Sequence, residues 1–444
     1  MNSDKKNTGV HLGFYHRFHR VIALLVVSIL MIPMAVACQD AGTVGSSNTE
    51  TTLVSTDKPT PTRAPAKTPT PTPTQAPDLP GVLPHEALVT HIYTADPSAH
   101  VFEGKLFIYG SHDQDERFPS DNDGGSYRMI DYHVLSIESF DVDPVDHGLA
   151  FSVDDIPWAE QQLWAPDCAY KDGTYYFYFP AKDSEGIFYI GVATSDRPEG
   201  PFVPEESYIP GSHSMDPCVF IDDDGRVYMY YGWSQLLPIQ VVELDPRNGF
   251  KEKGKPVVCF FGDPENNGFE RRRKEDVIFP FFNHRPYFPE EIPWIEGPWM
   301  VKHNGKYYLQ YAAIGLEFLS YSHGVYVSDS PMGPFQYSQH NPLTFKTTGF
   351  APGAGHGSTF HDKKGNLWTI CMIPSYFGQR GGGELALYPT AVDAQGVMHS
   401  NTAFGDYPQF YPGIKENPVD DNFSGWMLLS NRKYVETSST LEDF

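Results

Sequence analysis

The stretch IEGPWMVKHNGKYYLQYA, Ile295 to Ala312, decides the fold. Two apolar-aromatic runs, Trp299–Val301 and Lys306–Tyr311, flank a turn at His303-Asn304-Gly305. Asn-Gly between such runs is the strongest short-range signal for a β-hairpin, because both turn residues must adopt positive φ. One carboxylate, Glu296, stands just ahead of Gly297-Pro298 on the lip of that hairpin. An acid catalyst needs such a rigid mount, but an ordinary surface glutamate reads the same way.

The pattern of apolar stretch, Gly-containing turn and aromatic strand recurs outward from here. It appears as HVFEGKLFIYGS around Gly104, DCAYKDGTYYFYFPA around Gly173, CVFIDDDGRVYMYYGW around Gly225 and STFHDKKGNLWTICMI around Gly365. With Gly305, the intervals between these glycines are 69, 52, 80 and 60 residues. A second element follows two of the hairpins, VATSDRPEGPF (Val192–Phe202) and VYVSDSPMGPF (Val325–Phe335). Convincing helical periodicity is absent. Five β-meanders read as an all-β, five-bladed β-propeller. A pair of sandwiches would have no reason to repeat one hairpin with one turn chemistry.

The innermost strands of a propeller converge on its axis, so residues remote in sequence meet there. Three acids stand near the first strand of a blade, each within two residues of a proline: Asp96 in YTADPSAHVFEGK, Asp216 in SHSMDPCVFIDDDG, and Glu296. Alone, each is a common turn start. Repeated in phase with the blades, they are expected to point together at the axis. Paired carboxylates are the apparatus of glycoside hydrolysis, one protonated to load the leaving oxygen and one ionised to activate water. A third acid adds like-charge repulsion, which raises the donor's pKa. A longer Glu as acid and a shorter Asp as base, on different blades, leave room for a water, which is the inverting geometry.

These residues resemble glycoside hydrolase family 43, five-bladed propellers acting on xylose- and arabinose-containing polysaccharides. The likeness runs from about His85 to Pro412. It includes Asp96-Pro97, GSHD (Gly110–Asp113), DYHVLS (Asp131–Ser136), WAPD (Trp164–Asp167), MDPCVFIDDDG, IEGPWM and GHGSTF (Gly355–Phe360). The resemblance implies Asp96 as general base, Glu296 as general acid, and Asp216 as the residue that raises the acid's pKa and orients it. Trp164, His112, Asp113 and Arg380 are expected to contact substrate, with inter-blade core the rival reading for Trp164 and a surface loop for Arg380. His356 matches a histidine that in relatives lies near a calcium or water cluster on the axis. No cofactor is expected to be required, and a structural calcium is the one metal implied. Two departures are visible. Glu138–Val145 lacks an Asn-Trp that relatives carry, and the aromatic loop Asp263–Pro293 just before the acid puts the choice of sugar in doubt.

The formal charge of −24 argues against nucleic acid as a partner. The one basic run in the body, Arg271-Arg272-Arg273-Lys274, sits among Glu270, Glu275 and Asp276 and reads as a solvated loop. Five cysteines, Cys38, Cys168, Cys218, Cys259 and Cys371, share no metal-ligand spacing, and the last four read as buried small hydrophobes.

Residues 1–38 carry Lys5, Lys6, Arg17 and Arg20, then an apolar run Val21–Ala37 ending at Cys38. That is a secretory signal with a lipoprotein-like ending, in which Cys38 is expected to be lipidated. Residues 39–82 form a Thr/Pro-rich linker, whose 22 residues from Pro59 to Pro80 reach roughly 70 Å as polyproline II. The propeller is placed at 83–414, and 415–444 reads as a tail or the start of a truncated β-sandwich.

The expectation is therefore a cell-surface, lipid-anchored enzyme that cleaves arabinofuranosyl or xylosyl residues from plant cell-wall polysaccharide and touches the membrane only through its anchor. The rivals are the same fold acting on another furanoside, such as galactofuranose, and a non-catalytic glycan-binding propeller.

Overall fold

The computed structural model of the chain describes residues 88–402 less 115–126, 140–141, 234–237, 246–250, 271–293, 317, 319, 347–352 and 375–382. The signal, Cys38, the Pro-Thr linker, the basic run at 271–274, Arg380 and the C-terminal segment lie outside the described residues. No described helix is long and apolar enough to cross a membrane.

Five antiparallel sheets follow one another along the chain, each built from consecutive strands. Blade I holds β1 (Tyr93–Phe102), β2 (Lys105–Asp113), β3 (Asp131–Ile137) and β4 (Val145–Ser152). Blade II holds β5 (Asp167–Lys171), β6 (Thr174–Lys182), β7 (Phe188–Ser195) and β8 (Val203–Pro204). Blade III holds β9 (Cys218–Ile221), β10 (Val227–Tyr231), β11 (Ile239–Asp245), β12 (Lys251–Glu252) and β13 (Val257–Phe260). Blade IV holds β14 (Ile295–His303), β15 (Lys306–Ala313), β16 (Ser322–Ser328) and β17 (Gln336–Tyr337). Blade V holds β18 (Gly355–His361), β19 (Leu367–Pro374), β20 (Gly383–Val392) and β21 (Met398–Ser400). The arrangement is the five-bladed propeller read from the repeats.

Local chemistry explains the hairpins. Glu103-Gly104, Asp172-Gly173 and Asn304-Gly305 each pair two positive φ values in a two-residue loop, the type I′ condition whose twist matches the strands. The third and fifth hairpins use longer loops, where Gly225 N–H donates to Asp222 O and Gly365 N–H to Asp362 O.

Between blades the core is aromatic. Tyr109, Tyr132, Phe151, Phe177 and Phe179 fill the gap between blades I and II. Blades III and IV meet over Tyr230, Phe260, Tyr307 and Tyr311. Cys168, Cys218 and Cys371 are buried and free, as expected of small hydrophobes, and Cys259 is free and partly buried. The ring closes between blades V and I through polar contacts. Ser358 Oγ donates to Pro97 O (2.8 Å) and accepts from Ala99 N (3.0 Å), while Gly383 N–H donates to Asp113 Oδ2 (2.7 Å).

Asp167 fastens three blades at once. Fully buried, it accepts from Val219 N (2.5 Å), its neighbour Cys168 N (2.7 Å) and the Ser98 hydroxyl, and lies 2.7 Å from His100 Nε2.

Candidate active site

The first strand of every blade is innermost, and each presents a two-residue step to one pocket. Its walls are Asp96-Pro97, Ala165-Pro166, Asp216-Pro217, Gly297-Pro298 and His356-Gly357, one step per blade. Ser98 and Trp299 complete it. Four of the five lead positions break the ordinary backbone: Asp96 (φ 52°), Asp216 (φ 55°), Gly297 (φ 55°) and His356 (φ 29°) lie in the left-handed region. In β1, β14 and β18 the ladder is interrupted at this point by a bulge, between Ala95 and Ser98, Glu296 and Trp299, and Gly355 and Gly357. Bulges re-aim side chains, and here the device repeats round the axis.

This phase corrects one expectation. Asp96 and Asp216 are equivalent, but their counterpart in blade IV is Gly297, not Glu296. Glu296 sits one residue earlier and inside β14, which starts four residues ahead of the strand read from the sequence. A one-residue offset would turn a strand side chain to the opposite face. The positive-φ Gly297 absorbs the offset, and Glu296 remains next to the pocket.

The three acids have different surroundings. Asp96 is half-buried; its Oδ2 accepts from Ser111 Oγ (2.8 Å) and its Oδ1 lies 3.1 Å from His356 Nδ1. Asp216 is buried, and its Oδ2 accepts from the backbone N–H of Gly297 (3.0 Å). Glu296 is buried, with Oε2 accepting from the Trp294 indole N–H (2.6 Å) and Oε1 meeting the Tyr321 hydroxyl (2.6 Å).

Burial, reinforced by the charges of Glu296 and Asp96, pushes the Asp216 carboxyl up to about 8, against the opposing pull of His356 and the Gly297 N–H. The third acid thus carries a raised value itself. Burial alone would lower the His356 imidazole, but the charges of Asp96, Asp216 and Glu296 outweigh it and hold the ring above its ordinary value. The Tyr321 phenol is raised well above its usual range by burial and by Glu296, so it keeps its proton.

His356 stands among the three acids, with Nδ1 toward Asp96 and the opposite ring edge against Gly297. Among the described residues, no group of three His, Cys, Asp or Glu donors at ligand spacing includes it.

The remaining expected site residues lie around this centre. Asp113 is buried on blade I, pushed up to about 7 by burial against the Gly383 N–H, with Asp96 adding to the rise. His112 alternates to the other face of β2 from Ser111 and Asp113, and its Nδ1 lies 2.6 Å from Asp131 Oδ1. Trp164 adjoins the pocket-lining Ala165, half-buried against Phe188, with its indole N–H donating to Tyr127 O (2.9 Å). Trp294 and Tyr321 were not singled out as partners of the acid. Trp294 also packs near Trp233, with ring centroids 5.5 Å apart.

A model of the glycosyl hydrolases family 43 matches residues 150–397. That span contains Asp216, Glu296 and His356, while Asp96 stands ahead of it. A xylosidase/arabinosidase 43A of Humicola insolens is 45% identical over 268 residues, covering 56% of this chain and 80% of that protein. A β-xylosidase of Xylanibacter ruminicola is 44% identical over 257 residues, covering 55% and 78%. Among solved structures, a β-xylosidase/α-arabinofuranosidase from a compost microbial metagenome, in complex with xylotriose and in a calcium-free form, is 34% identical. It aligns over 74% of this chain and 100% of its own, with a TM-score of 0.58.

Proposed function

Because the chain belongs to glycosyl hydrolase family 43, we propose that it removes terminal or side-chain xylosyl or arabinofuranosyl residues from plant cell-wall polysaccharide with inversion at the anomeric carbon. The observation that carries this reading is the grouping of three carboxylates from three blades: Asp96 and Asp216 line one pocket, Glu296 stands beside it, and each has different hydrogen-bond partners.

Asp96 is assigned the general base. It is the most open of the three, so water can reach it, and Ser111 and His356 hold both oxygens. It takes a proton from the water as that oxygen bonds to the anomeric carbon. Glu296 is assigned the general acid, giving its proton to the departing glycosidic oxygen as the carbon–oxygen bond breaks. The proton gained by Asp96 then returns through solvent, and Glu296 is reloaded. The hydrolysis needs no cofactor.

The partners of Glu296 fix where its proton rides. An indole N–H can only donate, so Oε2 must accept from Trp294 and the transferable proton belongs on Oε1. The Tyr321 hydroxyl, which both accepts and donates, faces that proton before transfer and donates to the new charge after it. A donor that strengthens as charge develops favours the transition state over the ground state. Asp216 acts by clamping the Gly297 peptide that carries the acid.

The linker and the Cys38 signal support a location outside the cell on a lipid anchor. The chemistry is tested by aryl xyloside, aryl arabinofuranoside and aryl galactofuranoside, with wild type and Glu296→Ala, reading rate and the anomer first released. Cleavage of a xyloside or arabinofuranoside to the inverted sugar is expected. Cleavage of the galactofuranoside alone would replace the sugar assignment. Binding of arabinoxylan without cleavage would replace the enzyme by a lectin.

A further inference from the structure

We propose that blade I carries a second, transition-metal site whose ligands are His112, Asp131 and His133, with Asp146 as the outer partner that aims His133. The antiparallel ladder places them together. Gly110 pairs with His133 and Ser111 with Tyr132 across β2 and β3, which sets His112 beside Asp131. Residues two apart on a strand share a face, so Asp131, His133 and His112 stand on one side of the sheet. The residue opposite His133 is Gly110, with no side chain to intrude, and the His112 and His133 rings approach to 4.6 Å between centroids.

The donor atoms of the three lie within 4.8 Å of one another. Two ligands bonded at ~2.0–2.2 Å can be no farther apart than ~4.4 Å, so small side-chain rotations complete the site. The side chains keep 19%, 22% and 20% of their surface for His112, Asp131 and His133, enough for an ion to enter.

The surroundings are those of a ligand set. His133 Nδ1 lies 3.1 Å from Asp146 Oδ1, which the Gly148 N–H pins at 2.7 Å, and His91 Nε2 reaches the other oxygen at 2.9 Å. A carboxylate behind a histidine fixes its ring and raises its basicity as a ligand. Asp131 pairs with His112, and Asp146 with His91 and His133, so with the imidazoles neutral the cluster holds two carboxylate charges that a dication offsets. Two imidazoles and one carboxylate suit zinc, nickel or cobalt; calcium prefers six to eight oxygens. The site is separate from the pocket acids, since His112 faces away from Ser111 and Asp113.

The test is zinc titration of the untagged, chelator-treated chain by calorimetry, with thermal unfolding and circular dichroism confirming that each variant folds. One equivalent is expected, weakened at least ~100-fold by His112→Ala or His133→Ala, ~10–100-fold by Asp146→Asn, and unchanged by His356→Ala. A folded chain that binds no zinc overturns the proposal. So does a tightest equivalent that survives both His112→Ala and His133→Ala.

Discussion

The backbone N–H of Gly297 donates to Asp216 Oδ2 across 3.0 Å, so the peptide next to one acid of blade IV is held by a second acid of blade III. The contact depends on Gly297 occupying the left-handed region, and a Cβ there would meet the His356 ring at 2.6–2.9 Å. Clamp, bulge and acid form one unit.

Gly297→Ala is therefore expected to lower stability by more than the ~1–2 kcal/mol of left-handed strain and to cut kcat/KM at least ~10-fold. Gly305→Ala is the control, because its φ is +78° and nothing lies within 4 Å of its Cβ. It should show the strain and keep the activity. Equal effects of the two in thermal unfolding and steady-state kinetics would remove His356 from the account.

Tyr321→Phe deletes the hydroxyl that faces Glu296 Oε1. A hydrogen bond to a charged group is worth about 1.5–3 kcal/mol, so kcat should fall by roughly 10–100-fold with KM little changed. A rise in KM at constant kcat would make Tyr321 a binding residue instead.

Asp216 sets a pH dependence whose sign follows from its raised value of about 8. Unfolded, the carboxyl titrates near ~3.9. Between those values the folded chain holds a proton that the unfolded chain has lost, so stability declines as pH rises from about 4 to about 8. Asp216→Asn keeps an oxygen for the Gly297 N–H and has no charge to bury. It is expected to be more stable than wild type at pH 8, with the gap closing toward pH 4, while losing activity. Denaturant unfolding at the two pH values measures the gap, and a gap that widens toward pH 4 would contradict the burial argument.

Asp167→Ala leaves the Val219 and Cys168 N–H groups and the Ser98 hydroxyl without their buried acceptor. A loss of about 3–5 kcal/mol is expected, as for other buried charged networks with one partner removed. Denaturant unfolding checks it, and a change below ~1 kcal/mol would mean the ring does not depend on this anchor.

The blades were legible because their information is local. Asn304-Gly305, Asp172-Gly173 and the other turn pairs carry their geometry in adjacent residues, and the repeat follows. Asp96 and Asp216 were legible because Asp-Pro marks the same step of two blades. The offset at Glu296 was hidden, since Glu-Gly-Pro resembles Asp-Pro until the bulge is seen. Tyr321 and Trp294 were hidden differently. Each meets the acid only after the blade has folded, and among 26 Tyr and 7 Trp nothing in the local sequence separates them from core aromatics. Asp167 was visible within WAPD, but three of its four partners, Val219, Ser98 and His100, come from contacts between blades.

The assignment of Glu296 as proton donor is tested most directly by kcat/KM of Glu296→Ala across aryl and alkyl glycosides with leaving groups of graded pKa. General acid catalysis is worth about 10²–10⁴-fold where the leaving group needs a proton and little where it does not. The account predicts that the variant loses that factor on poor leaving groups and less than ~10-fold on the best one. A loss that is the same for every leaving group, or no loss at all, would contradict it.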